Sequence, residues 1–161
     1  MKNNSENILL ADLNDNGVLR ITLNDPNNKN ALSELMMQKL INTITGASKD
    51  NSVRVIVIAS TGDVFCSGHN LKEINEARKA NDSGESYYLE LFKTCSSLMQ
   101  LIVNCSKPVI AEINGIATAA GCQLVASCDL ALSSESSKFA TPGVNLGLFC
   151  STPMVALSRN V

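Results

Sequence analysis

The stretch Lys107 to Asp129, KPVIAEINGIATAAGCQLVASCD, decides the fold. Val109 to Ile113 is an apolar strand, Asn114-Gly115 a tight turn, and the small residues that follow open a helix. Ala117, Ala119, Ala120 and Gly121 leave almost no side-chain bulk where that helix begins. A ligand can therefore approach the backbone and meet the free N–H groups of the first turn, which favour a negative oxygen. The same small residues also suit tight packing of the helix on a sheet, so this stretch alone leaves both readings open.

A second stretch, Ser60 to Glu73 (STGDVFCSGHNLKE), repeats the organisation. Val53 to Ala59 is a nearly continuous β-branched run, as expected of a strand buried on both faces, and it leads into a glycine-containing loop and a helix start. Two such loops, each directing a backbone N–H at one point, are what stabilisation of an anionic carbonyl oxygen requires.

Outward from these two stretches, the N-terminal part is structural. Ile8 to Leu13 and Val18 to Leu23 flank Asn14-Asp15-Asn16-Gly17, a strong hairpin signal because Asn and Gly tolerate positive φ. The polar loop Asn24 to Asn30 precedes a helix that Ser33 caps, with Leu35, Met36, Leu40, Ile41 and Ile44 on one face and Gly46 as its stop. Glu73 to Glu85 is charged and polar, a surface helix and mobile loop. From Ser86 an amphipathic helix carries Leu91, Cys95, Leu98 and Ile102, with Phe92, Met99 and Val103 alongside, a stripe that reads as core. Pro108 closes that helix. Leu130 to Ser133 and Lys138 to Ala140 are short strands, Thr141-Pro142-Gly143 is a turn, and Ser151 or Thr152 caps a last helix with Pro153 in its first turn. Alternating strands and helices give an α/β or α+β layout.

Composition narrows the function. The chain has 161 residues, 45% of them hydrophobic, and a formal charge of −2, enough for one globular core and no global basic surface for nucleic acid. No apolar run reaches the length of a membrane span, and MKNNSEN lacks the regions of a signal or transit peptide, so the expectation is a cytoplasmic protein. The six cysteines are scattered through apolar segments and read as reduced, mostly buried thiols. There is no CxxC pair and a single His, which disfavours a zinc site. Gly115 to Gly121 fits neither a P-loop nor a dinucleotide fingerprint, and there is no GxSxG elbow or glycosidase carboxylate pair.

FCSGHNLKE (Phe65 to Glu73), KPVIAEINGIATAAGCQLVASCDLAL (Lys107 to Leu132) and FATPGVNLGLF (Phe139 to Phe149) resemble, in order and spacing, the signature blocks of the crotonase, or enoyl-CoA hydratase/isomerase, superfamily. Asn30-Ala31-Leu32-Ser33 fits the family's first helix. The resemblance implies an α/β crotonase-like spiral of ββα units over residues 1–161, a single core domain, with the family's C-terminal helical part absent. It implies an acyl-CoA or enoyl-CoA thioester as ligand, no separate cofactor because CoA is part of the substrate, and trimers or hexamers for a full-length protein. It places two N–H groups on the thioester oxygen, at His69 and Ala120, and puts Leu71 and Lys72 where the family receives the CoA nucleotide.

The departures from the family pattern bear on catalysis. Family hydratases use two glutamates, and the matching positions here are Gln123 and Gly143. Glutamine orients water but exchanges no proton near neutrality, and glycine offers no side chain. His69 is the side chain that titrates near neutral pH and is the leading acid/base candidate, although its ring can equally point away while its N–H points inward. Cys122 is a possible nucleophile but more simply a packing thiol; Glu112 lies on a strand, Asp129 looks structural, and Thr141 and Asn145 are possible pocket contacts. Three readings follow: a lyase or isomerase acting on acyl-CoA thioesters in fatty acid metabolism, a non-catalytic or regulatory acyl-CoA-binding protein, and a piece of a larger protein. An organelle matrix is the alternative location.

Overall fold

The computed structural model describes residues 7–147 and 149–160. The reading of MKNNSEN falls mostly outside them, as does that of Val161. Strands β1 (Leu9–Leu13) and β2 (Val18–Leu23) form the expected hairpin, and Asn14 Oδ1 accepts the N–H groups of Asn16 and Val18 at 3.0 Å. Helix α1 (Glu34–Lys49) begins at Ser33, whose side chain accepts the Met36 N–H at 3.1 Å. Removing that acceptor by Ser33→Ala is expected to cost about 1 kcal/mol, read as a shifted urea midpoint with an unchanged slope.

Then come β3 (Val55–Ser60), β4 (Val64–Cys66), α2 (Leu71–Ala77), α3 (Glu85–Val103), β5 (Val109–Ile113), β6 (Ile116–Thr118) and α4 (Ala120–Ala126). The chain closes with β7 (Leu130–Ser133), β8 (Lys138–Ala140), a 3-10 turn over Pro142–Leu146, and α5 (Ser151–Asn160). One sheet runs β1-β2-β3-β5-β7, antiparallel only at the hairpin; a second, parallel throughout, runs β4-β6-β8. A strand of the first sheet, a strand of the second and helical structure thus recur three times, which is the ββα spiral expected from the sequence.

The core lies where α1 and α3 cover the larger sheet. Ile21, Leu23, Met36, Leu40, Ile44, Ile56, Ile58, Leu98 and Ile102 are among its buried side chains. Burying each such side chain contributes about 1.5–3 kcal/mol before the entropy of ordering it. All six cysteines are free, and Cys66, Cys95, Cys122 and Cys128 are buried.

The structure departs from the sequence reading in several places: Leu35, placed on the apolar face of α1, is exposed, and Asn30 to Ser33 precede the helix rather than lie in it. Gly46 does not stop α1, which runs on to Lys49 because Ala47 is still buried against the core. Phe92 and Val103, on the flank of the α3 stripe, are 53% and 63% exposed rather than part of the core. The helix after Asn114-Gly115 does not open at once. Strand β6 comes first, held laterally by β4 and β8, and α4 starts only at Ala120.

Candidate functional site

Strands β4 and β6 pair side by side as far as Cys66 and Ala117, then each runs into a loop that starts a helix. The two loops are in contact. A methyl group added at Gly68 would stand 3.2 Å from the Ala120 nitrogen and 2.9 Å from Ala119 Cβ. Only a residue without a side chain, at φ +89, lets the loops come this close.

Peptide planarity fixes where the two N–H groups point. The Gly68 carbonyl accepts the Leu32 N–H at 2.8 Å, so the His69 N–H of the same trans peptide points away from Leu32. The Ala119 carbonyl accepts the Gln123 N–H at 3.1 Å, so the Ala120 N–H points back out of the helix end. Neither N–H donates a backbone hydrogen bond to another described residue. Ala119 holds φ 51 and ψ −124, a conformation glycine normally takes, at a cost of about 1–3 kcal/mol. Strain of this kind immediately before a free donor is a feature of ligand sites.

His69 is half-buried, and its ring meets Phe92 edge-on at 5.5 Å and 88°. Burial pushes the imidazole below its ordinary pKa, with the Leu32 backbone partly opposing the shift, so the ring is neutral at pH 7. Its Nδ1 is buried and forms no hydrogen bond of good geometry. Gln123 sits one turn into α4, only 8% exposed, and its Oε1 is enclosed without a hydrogen-bond partner among the described residues. Leu71 is 69% exposed at the start of α2, beside Lys72, whose Nζ donates to Asn28 Oδ1 at 3.1 Å. The structure thus brings His69 and Ala120 together, sets Gln123 on the same helix start as Ala120, and leaves Leu71 and Lys72 on the surface two and three residues beyond His69.

The remaining candidates lie elsewhere or are otherwise engaged. Glu112 is exposed and paired with Arg20, whose guanidinium holds it below the usual carboxylate range. Asp129 Oδ2 accepts the Val109 N–H at 2.7 Å, a structural role. Burial raises the Cys122 thiol, and Cys122 lines a cavity of about 410 Å³ with Val125, Leu130, Phe139 and Leu157. That environment suits a packing thiol and opposes formation of a thiolate. Thr141 lines a separate groove with Val144, Phe149 and Met154, while Asn145 is exposed. Two residues to which the sequence reading gave no role at the site also shape it: Thr118, whose hydroxyl crosses from one loop to the other, and Asn30, buried beneath the 61–64 turn. A lone hydroxyl among alanines was the only available signal for the first.

A spiral of ββα units whose strand-to-helix loops meet in pairs is the crotonase architecture. The family model described as enoyl-CoA hydratase/isomerase matches residues 14–161, and the chain belongs to that family. It is 54% identical over 147 residues to the *Xenopus laevis* protein named enoyl-CoA hydratase domain-containing protein 3, mitochondrial, covering 91% of this chain and 48% of that one. It is 34% identical over 131 residues to *Escherichia coli* 2,3-dehydroadipyl-CoA hydratase, covering 81% and 48%. The crystal structure of human enoyl-CoA hydratase domain-containing protein 3 superposes with a TM-score of 0.86 at 49% identity, over 94% of this chain and 58% of that one. The chain spans about half the length of these curated relatives.

Proposed function

We propose that the chain binds an acyl-CoA or enoyl-CoA thioester and stabilises its enolate through the His69 and Ala120 N–H groups. The observation that carries this reading is the meeting of two loops whose N–H groups have no backbone acceptor among the described residues and whose directions are fixed by the Leu32–Gly68 and Gln123–Ala119 bonds. Preorganised donors of this kind stabilise charge that develops on a carbonyl oxygen, the common need of thioester hydration and isomerisation. Leu71 and Lys72 are proposed to meet the CoA nucleotide, Lys72 as a phosphate contact. CoA belongs to the substrate, so no separate cofactor is invoked. A role in fatty acid metabolism and assembly into trimers or hexamers accompany the proposal. The mitochondrial name of the *Xenopus* relative favours the mitochondrial matrix over the cytoplasm.

A second reading, a binding protein that performs little chemistry, is favoured by Gln123 and Gly143. Neither group transfers a proton at neutral pH, and loss of an acid/base group forfeits about 10²-fold to 10⁴-fold in rate. His69 is the remaining imidazole, and its lowered pKa suits a neutral base rather than an acid.

Calorimetric titration with a panel of acyl-CoA and enoyl-CoA esters, with product followed by mass spectrometry, separates the two readings. Saturable binding with turnover supports an enzyme, and binding alone supports the second reading. A folded chain that binds none of the esters overturns both.

A further inference from the structure

We infer that Thr118 is a positioning residue that sets, through its hydroxyl, the separation between the His69 and Ala120 amides; this rests on the reading of those amides as the thioester-oxygen site. Thr118 Oγ1 donates to the Ser67 carbonyl at 3.1 Å, joining residues 51 apart in sequence. Ser67 lies two residues before His69 and Thr118 two residues before Ala120. The bond therefore ties the loops at the same remove from the two donors.

Its place in the fold gives it this role. The β4–β6 ladder ends at Cys66 and Ala117, after a register shift between Val64 and Cys66. Beyond that point the backbone bonds of each loop run to different partners. The Ser67 N–H donates to the Lys29 carbonyl at 3.2 Å and the Gly68 carbonyl accepts from Leu32, which hold one loop towards the start of α1. The Ala119 N–H donates to the Ala140 carbonyl at 2.9 Å, which holds the other towards β8. Left to these anchors, the two loops are fixed to opposite neighbours. The Thr118 hydroxyl continues the direct link where the ladder stops.

It also stands next to Ala119, whose backbone occupies a conformation an L-residue resists. A chain released at Thr118 has a local reason to relax, and relaxation there turns the Ala119–Ala120 peptide that carries the donor. Geometry of this kind acts on the developing oxyanion more than on the distant CoA moiety, so loss of the hydroxyl should weaken polarisation while largely sparing affinity.

The test is isotope-edited infrared spectroscopy of the 161-residue chain with butyryl-CoA and crotonyl-CoA labelled with ¹³C at the thioester carbonyl. In the parent chain the bound carbonyl stretch should move to lower wavenumber than in free ester. Thr118→Val should lose at least half of that displacement with Kd changed less than about threefold, and Thr118→Ser should restore it. If the valine chain does not fold, Thr118→Ala removes the same hydroxyl without adding bulk. A full displacement in the chain lacking the hydroxyl, or a loss that serine does not restore, overturns the positioning role alone. No displacement in the parent chain overturns the thioester-oxygen reading and this inference with it.

Discussion

Replacing Asn30 by alanine should cost the fold about 4 kcal/mol, the largest stability loss expected of any single substitution considered. Asn30 has no solvent exposure, and its side chain satisfies three backbone groups at once. Oδ1 accepts the Asp25 N–H at 2.7 Å, and Nδ2 donates to the Thr61 carbonyl at 2.9 Å and the Val64 carbonyl at 2.7 Å. Alanine leaves all three without that partner, each at about 1–3 kcal/mol if water does not enter. It also removes, at φ 50, the short polar side chain whose hydrogen bonds let asparagine hold a left-handed conformation that strains alanine. The consequence reaches the site, because Asn30 joins the 24–30 loop to the turn before β4, and Leu32, two residues on, holds the Gly68 carbonyl. A urea midpoint within about 1 kcal/mol of the parent would show that the site does not depend on this junction.

Asn30→Asp separates the acceptor from the donor. The carboxylate keeps an oxygen for the Asp25 N–H but turns another towards the two carbonyls, which favours the protonated form and raises its folded pKa. The stability present when the group is protonated is therefore lost as pH rises through that raised value. Urea midpoints at pH 4.5 and 7.5 should move apart in this direction relative to the parent chain.

How far the sequence disclosed this molecule depends on whether the deciding interactions are local. The hairpin at Asn14–Gly17, the Ser33 cap and the α3 stripe through Leu91, Cys95, Leu98 and Ile102 depend on residues within a few positions of one another, and all were legible. Strand β6 was not, because Ile116-Ala117-Thr118 is too short for a period to register and exists through its pairing with β4 and β8. Gly46 misled because a glycine stops a helix only where the chain must turn left-handed, and here the helix continues until Ala47 is packed. At the site, the likeness of the two loops was visible in sequence. Their convergence at His69 and Ala120 was implied by the family resemblance, but the contacts that make it were not legible, since they run from Gly68 to Ala120 and from Thr118 to Ser67, across some fifty residues.

Gly121→Ala gives an expectation whose sign alone is informative. Alanine is the better helix former by about 0.8–1 kcal/mol, and Gly121 has no left-handed φ to protect, so helix propensity by itself predicts a more stable chain. The packing predicts the reverse. A β-carbon at 121 would lie 2.2 Å from the Cys66 carbonyl oxygen and 2.8 Å from the Cys66 carbonyl carbon and Cβ. Those are atoms of the buried end of β4, which cannot swing aside as the tip of a side chain could. Either α4 moves off β4 or the strand yields, and overpacking of this kind costs about 1–3 kcal/mol. A net loss of about 1 kcal/mol, read from the urea midpoint, is expected after the helix-propensity gain. The movement also carries the Ala120 N–H away from the His69 N–H, so the stretch of a bound ¹³C-labelled thioester carbonyl should lose at least about half of its displacement to lower wavenumber, with the affinity of the folded chain largely kept. A stabilised chain with an unaltered carbonyl displacement would mean that α4 and β4 do not meet at the backbone, and the paired N–H geometry would fall with that contact.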